Sequence, residues 1–106
     1  MTESKLELDI EEKYCREVFK LYGILALKFK KQGSRGGADR ICFCPDNHVF
    51  FIEFKSPSGV VSEHQLEFAE MMENLNYNVY FCNSVGNALE CTTKELLYCS
   101  GVDGNE

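Results

Sequence analysis

The sequence predicts an α/β fold with a mixed central sheet flanked by helices, its elements in the order α-β-β-β-α-β-α. Three observations carry that prediction. Apolar residues recur at helical spacing near the N-terminus and again after residue 62. Four short β-rich runs lie between and after these stretches. A Pro-Asp-Asn turn joins two of the runs into a hairpin. With 106 residues, 44% of them hydrophobic and 26% charged, the chain is expected to form a single domain spanning 1–106. Its 8 Phe and 5 Tyr supply a sizeable core, which excludes disorder, collagen and coiled coil as whole-chain descriptions.

The first helix is expected over residues 8–22, where Ile10, Tyr14, Val18, Leu21 and Tyr22 share one stripe, and Gly23 ends it. Residues 24–29 read as a short apolar strand and residues 30–37 as a glycine-rich basic loop. Residues 39–44 and 48–55 form the hairpin around Pro45, Asp46 and Asn47. Residues 56–61, holding Pro57 and Gly59, are a loop. Ser62-Glu63-His64-Gln65 is a capping box, followed by Phe68, Met71, Met72 and Leu75 as the inner face of a helix ending near Asn76. Residues 78–82 read as the last strand, and 84–99 as one broken helix or two short ones.

The start of the chain is polar and has no apolar segment of the signal-peptide kind, and no apolar run is long enough to span a bilayer. The protein is therefore expected to be intracellular, in a bacterial or virus-infected cytoplasm or a nucleus, and not secreted. Six cysteines show no Cys-x-x-Cys spacing and mostly lie in apolar segments, where a thiol behaves as a small hydrophobe.

The strand over 48–55 breaks its own pattern. Phe50, Ile52 and Phe54 fall on one face; Phe51, Glu53 and Lys55 fall on the other. A lone Glu-x-Lys is usually a surface ion pair. If the turn is Pro45–Asn47, however, Cys44 faces His48. Phe43 then meets Val49, Ile41 meets Phe51, and Asp39 meets Glu53. Two opposed carboxylates about 5 Å apart at Cβ repel unless a cation or a proton lies between them. The first helix adds a third acid. With Ile10 at zero, Glu11 falls at about 100°, inside the apolar stripe, and Glu12 at about 200°, outside it. Periodicity leaves open whether Glu11 is partnered inside or reaches water; a neighbouring cation site favours Glu11 over Glu12. Oxygen ligands of this kind suit Mg²⁺, and a lysine beside them neutralises charge that builds up in phosphodiester attack. The pattern points to metal-assisted hydrolysis of a phosphodiester.

At these residues the sequence resembles the PD-(D/E)xK nuclease superfamily and, more narrowly, its virus-type replication–repair nuclease (VRR-NUC) domain. The resemblance rests on Glu11, Gly23, Gly36-Gly37-Ala38-Asp39, Glu53-Phe54-Lys55, Pro57-Ser58-Gly59 and Gln65, in order, within about residues 10–85. Ala38 stands where the family usually has proline. The resemblance implies a restriction-endonuclease-like fold and Mg²⁺ or Mn²⁺ as cofactor. It implies Asp39, Glu53 and the main-chain carbonyl of Phe54 as metal ligands, and Glu11 on the metal or its waters. Lys55 becomes the catalytic lysine, and Gln65 a supporting residue. Stand-alone members resemble Holliday-junction resolvases, which implies a homodimer acting on branched DNA in replication, repair or recombination. No small-molecule cofactor or membrane is implied.

Net charge is −6, which excludes an all-round nucleic-acid coat. Along the chain the charge is uneven. Residues 28–40 carry five cations and one anion, whereas residues 61–106 carry eight acids and one lysine. Lys28, Lys30, Lys31, Arg35 and Arg40, with the backbone at Gly36 and Gly37, are the candidate phosphate contacts. The alternative is a catalytically silent DNA-binding or assembly module that retains the nuclease fold. Leu66 is the one apolar residue on the outer side of the capped helix; His64 adjoins Gln65, and His48 has no assigned role.

Overall fold

The structure, a computed structural model, describes residues 3–29 and 39–100. Helix α1 runs Glu3–Tyr22, followed by strands β1 (Leu25–Lys28), β2 (Arg40–Phe43) and β3 (Val49–Phe54). Helix α2 (Glu63–Asn74), strand β4 (Val79–Cys82) and helix α3 (Val85–Ser100) complete the order. The four strands lie in the order β1-β2-β3-β4. The first three form an antiparallel meander, and β4 is parallel to β3. α2 supplies the crossover that a parallel pair requires.

Local chemistry explains the boundaries. Gly23 takes φ +69°, a left-handed conformation that closes α1. Its N–H donates to Phe19 O at 3.0 Å. The hairpin turn has Asn47 at φ 63°, a conformation asparagine tolerates, and Cys44 N–H donates to His48 O at 2.8 Å. The register is the one expected: Arg40 opposite Ile52, Ile41 opposite Phe51, Phe43 opposite Val49. Both halves of the Ser62–Gln65 capping box are formed at the start of α2.

The sheet has two packed faces. On one, Phe50, Ile52 and Phe54 join Ala26, Cys42 and Cys82 beneath Tyr14 and Val18 of α1 and Ala88 of α3. Thr92 donates to Ala88 O at 2.8 Å, so its hydroxyl accepts from Tyr14, 2.6 Å away, tying α1 to α3. On the other, Phe51 and Val79 meet Ala69 of α2, with Phe68 edge-on to Phe51 at 5.6 Å. Cys42, Cys44 and Cys82 are buried and pack as small apolar groups.

Four expectations are corrected. α1 starts five residues earlier, at Glu3. Leu21 and Tyr22, placed on its apolar stripe, are exposed; the Tyr22 hydroxyl instead reaches Thr93 of α3 at 3.5 Å on an exposed side. The inner arc of α2 is Phe68, Ala69 and Met72, whereas Met71 and Leu75 face outward; small Ala69 sits where the helix comes nearest the sheet. α3 is one unbroken helix. Ala88, Thr92 and Glu95 follow one another at helical spacing on its buried side, so a single continuous face docks on the sheet. Among the described residues no helix is long and apolar enough to cross a membrane. The expected loop at 30–37, with Lys30, Lys31, Arg35, Gly36 and Gly37, lies outside the described residues.

Candidate active site

Asp39 precedes β2 and Glu53 is the penultimate residue of β3, so the hairpin register carries them to the same end and face of the sheet. Asp39 is held from both sides. Its carbonyl accepts from Phe29 N–H at 3.0 Å, and its Oδ2 accepts from Phe54 N–H at 2.7 Å. Burial raises the Asp39 carboxyl above its ordinary range, the Phe54 N–H opposes that, and Glu11 raises it further.

Glu53 is 6% exposed. Burial, then the charge of Asp39, pushes its carboxyl up to about 7, against the pull of Lys55. Two donors converge on one of its oxygens. Gln65 Nε2 donates to Oε2, and Lys55 Nζ lies 3.5 Å from the same atom. Its other oxygen, Oε1, is buried and has no hydrogen-bond partner among the described residues. A buried acid with one bare oxygen, set against a second, half-buried acid, is the electrostatic problem that a divalent cation solves.

The turn after Lys55 fixes where that lysine starts. Gly59 N–H donates to Ser56 O at 2.9 Å. A Cβ at position 59 would lie 3.3 Å from Lys55 Cβ and 3.2 Å from Ser56 O. The Pro57-Ser58-Gly59 turn thus closes directly against the base of the lysine.

Glu11 is buried and Glu12 is exposed, as the helical angles indicate. Its carboxylate is not bare, however. Oε2 accepts from Arg40 Nε at 2.6 Å and from Lys28 Nζ at 3.0 Å. Arg40, read from sequence as a phosphate contact, is turned inward and also donates to Ala26 O at 3.1 Å. Lys28 remains largely exposed on the same edge. Among the described residues no three His, Cys, Asp or Glu side chains converge into a ready-made cation cluster. Asp39 and Glu53 are the pair the fold brings together, with Lys55 and Gln65 beside them.

One buried carboxylate went unnoticed in the sequence. Glu95 of α3 is 1% exposed and accepts from His48, Tyr80 and Asn78, the last at 2.9 Å. His48 and Asn78 precede β3 and β4, so this network lies at the opposite end of the parallel pair from Glu53. Its sequence signal was the place of Glu95 on the Ala88–Thr92 stripe.

Comparison with known proteins bears on the family and the fold. The family model described as VRR-NUC domain matches residues 2–86, a span containing every acid, lysine and glutamine of the site. The chain is 33% identical over 78 residues to "Putative nuclease p44" of Acyrthosiphon pisum secondary endosymbiont phage 1, covering 74% of this chain and 83% of that protein. It is also 33% identical over 85 residues to "Vacuolar protein sorting/targeting protein 10" of Clavispora lusitaniae. That match covers 74% of this chain but only 6% of the yeast protein. A solved structure described as a VRR_NUC domain superposes with a TM-score of 0.68 at 27% identity, covering 80% of this chain and 95% of the other. The mixed four-stranded sheet flanked by helices is compatible with the restriction-endonuclease-like α/β fold.

Proposed function

The chain belongs to the VRR-NUC domain family, and from that premise we propose that it is a nuclease that hydrolyses DNA phosphodiester bonds with Mg²⁺ or Mn²⁺. The observation that carries the cation is the bare, buried Oε1 of Glu53 beside Asp39. Asp39, Glu53 and the carbonyl of Phe54 would hold it, and Glu11, whose Oε2 is taken by Arg40 and Lys28, is the third acid of the set. A divalent ion there supplies Lewis acidity toward the scissile phosphate and lowers the pKa of water.

The chain's own groups do the rest. Lys55, held beside Glu53, presents an ammonium to the charge that develops on the phosphate. Gln65 and Lys55 keep Glu53 Oε2 occupied, so the other, buried oxygen is left without a partner among the described residues. Asp39 is fixed by two backbone bonds and needs no rearrangement to act. Exposed Lys28 and the basic residues Lys30, Lys31 and Arg35 are the proposed phosphate contacts, with the backbone at Gly36 and Gly37; Arg40 supports them from inside by positioning Glu11.

The proposed substrate is branched DNA such as a four-way junction, cut by a homodimer within the cell during replication, repair or recombination. Support for the second copy comes from the α2 side of the sheet. There Leu25 lies opposite Phe43 and Leu27 opposite Ile41, and Leu25, Leu27 and Phe43 remain exposed. Free cysteines support the intracellular setting.

The test is incubation with four-way junction, flap, linear duplex and single-stranded DNA, in Mg²⁺, Mn²⁺ or EDTA. Cleavage that needs the metal and is lost in Lys55→Ala supports the proposal. Binding without cleavage of any substrate replaces it with the silent DNA-binding module. A solution mass of one chain that Phe43→Glu leaves unchanged removes the dimer.

A further inference from the structure

We propose that the capping box of α2 belongs to the cation site: Ser62 is a positioning residue that holds the Gln65 amide in the orientation that leaves Glu53 Oε1 to the metal. The proposal rests on the assignment of Glu53 as a cation ligand and adds to it a residue outside the acid–lysine set.

The geometry is a relay of three links. Gln65 N–H donates to Ser62 Oγ at 3.2 Å, which fixes the first turn of the helix. Ser62 N–H donates in return to Gln65 Oε1 at 2.9 Å. A side-chain amide has one carbonyl end and one NH₂ end. With the carbonyl end committed to the cap, the NH₂ end faces Glu53 and donates to Oε2.

A capping box accepts glutamate or glutamine at this position. Glutamate would serve the helix equally well, yet it would set a second acceptor against Glu53 Oε2. Glutamine alone completes the cap and donates to the acid. Because Lys55 also lies against Oε2, both donors occupy one oxygen, and the buried Oε1 is left with no partner among the described residues. The cap thereby selects which oxygen of Glu53 is offered to a cation. Residues that orient metal ligands in this way are part of the affinity of a site.

The measurement is Mn²⁺ binding to the full chain by calorimetry, alongside thermal melting in EDTA. Ser62→Ala is expected to weaken Mn²⁺ about fivefold, the equivalent of the loss of about 1 kcal/mol in a helix cap. Ser62→Thr, which keeps the cap oxygen, restores the affinity. Gln65→Ala weakens Mn²⁺ about tenfold or more. Because Ser62 acts through Gln65, the double variant Ser62→Ala/Gln65→Ala binds no more weakly than Gln65→Ala alone. A lower melting temperature with unchanged Mn²⁺ affinity in Ser62→Ala makes the cap merely structural and overturns the proposal, as do additive losses in the double variant. Asp39→Asn separates the two levels. If it binds Mn²⁺ as tightly as the parent chain, or the parent binds none, the site assignment fails and takes this proposal with it. If Asp39→Asn weakens binding and Ser62→Ala does not, only the capping-box proposal falls.

Discussion

The Asp39 carboxylate accepts the backbone N–H of Phe54 at 2.7 Å. Phe54 lies two residues beyond Ile52, the last residue of β3 paired with β2, so a side chain here does the work of a ladder bond. The same Asp39 receives Phe29 N–H on its carbonyl. One acidic residue thus joins the ends of β1 and β3, and the strand it grips carries Glu53 and Lys55 on either side of Phe54.

That double duty separates two substitutions. Asp39→Asn keeps an oxygen for Phe54 N–H and removes a charge repelled by Glu53, so the metal-free fold is expected to be at least as stable. Cleavage is expected to fall at least about 100-fold because a proposed cation ligand has lost its charge. Asp39→Ala also orphans the Phe54 N–H, which costs about 1–3 kcal/mol. Urea unfolding and single-turnover cleavage of the two variants check this; equal stability of Asn and Ala would mean that the Phe54 bond contributes nothing.

Glu53 makes the metal-free protein pH-sensitive in a definite direction. Its carboxyl lies near 7 when folded, against 4.5 as the ordinary value, so the folded chain holds the proton more tightly than the unfolded one. The associated stability is fully present below about pH 4.5 and is lost as pH rises through about 7. In EDTA the chain is expected to lose up to about 3 kcal/mol across that window. The shift at Asp39 acts in the same sense. Glu53→Gln removes most of the dependence and is the more stable protein above pH 7. Added Mn²⁺ raises the melting temperature of the parent and not of the variant. Denaturant titrations at a series of pH values decide it; a parent chain equally stable at both ends of the window contradicts the buried-acid account.

These features differ in how far the sequence could reveal them. The opposition of Asp39 and Glu53 was legible because a three-residue turn fixes the register of every pair beyond it, and the Ser62–Gln65 signature is local in the same way. Glu11 could be told from Glu12 by its angle on α1. Its partners could not, because Lys28 and Arg40 reach it from β1 and β2 and nothing in a linear run of cations says that some turn inward. Met71 and Leu75 were misplaced for a related reason. Hydropathy marks an apolar arc wider than the strip of sheet that α2 covers, and tertiary packing chooses within it.

Gly59 sets the position of Lys55 without touching the chemistry. A Cβ there meets Lys55 Cβ at 3.3 Å and the Ser56 carbonyl at 3.2 Å, so the turn or the lysine must give way. Gly59→Ala is expected to slow cleavage about tenfold, since small displacements of the proposed catalytic lysine would be costly. Mn²⁺ affinity should hold, because Lys55 is not one of the proposed ligands. A full cleavage rate in Gly59→Ala would show that the turn yields away from the lysine.

The Glu95 network supplies a control at the other end of the strands. Glu95→Ala leaves half-buried His48, Asn78 and Tyr80 without their shared acceptor. That is expected to destabilise the fold by about 3 kcal/mol. Yet His48 stands five residues before Glu53, about 16 Å along an extended strand. The two acids therefore belong to separate electrostatic neighbourhoods, one with every oxygen satisfied by the protein and one with an oxygen left bare. Mn²⁺ affinity of the folded Glu95→Ala chain should match the parent within about twofold, since distant sites act independently. Calorimetry below the melting temperature of the variant tests this. A large loss of Mn²⁺ binding there would mean that α3, and not the β2–β3 hairpin and α2 alone, holds the Asp39–Glu53 pair in register.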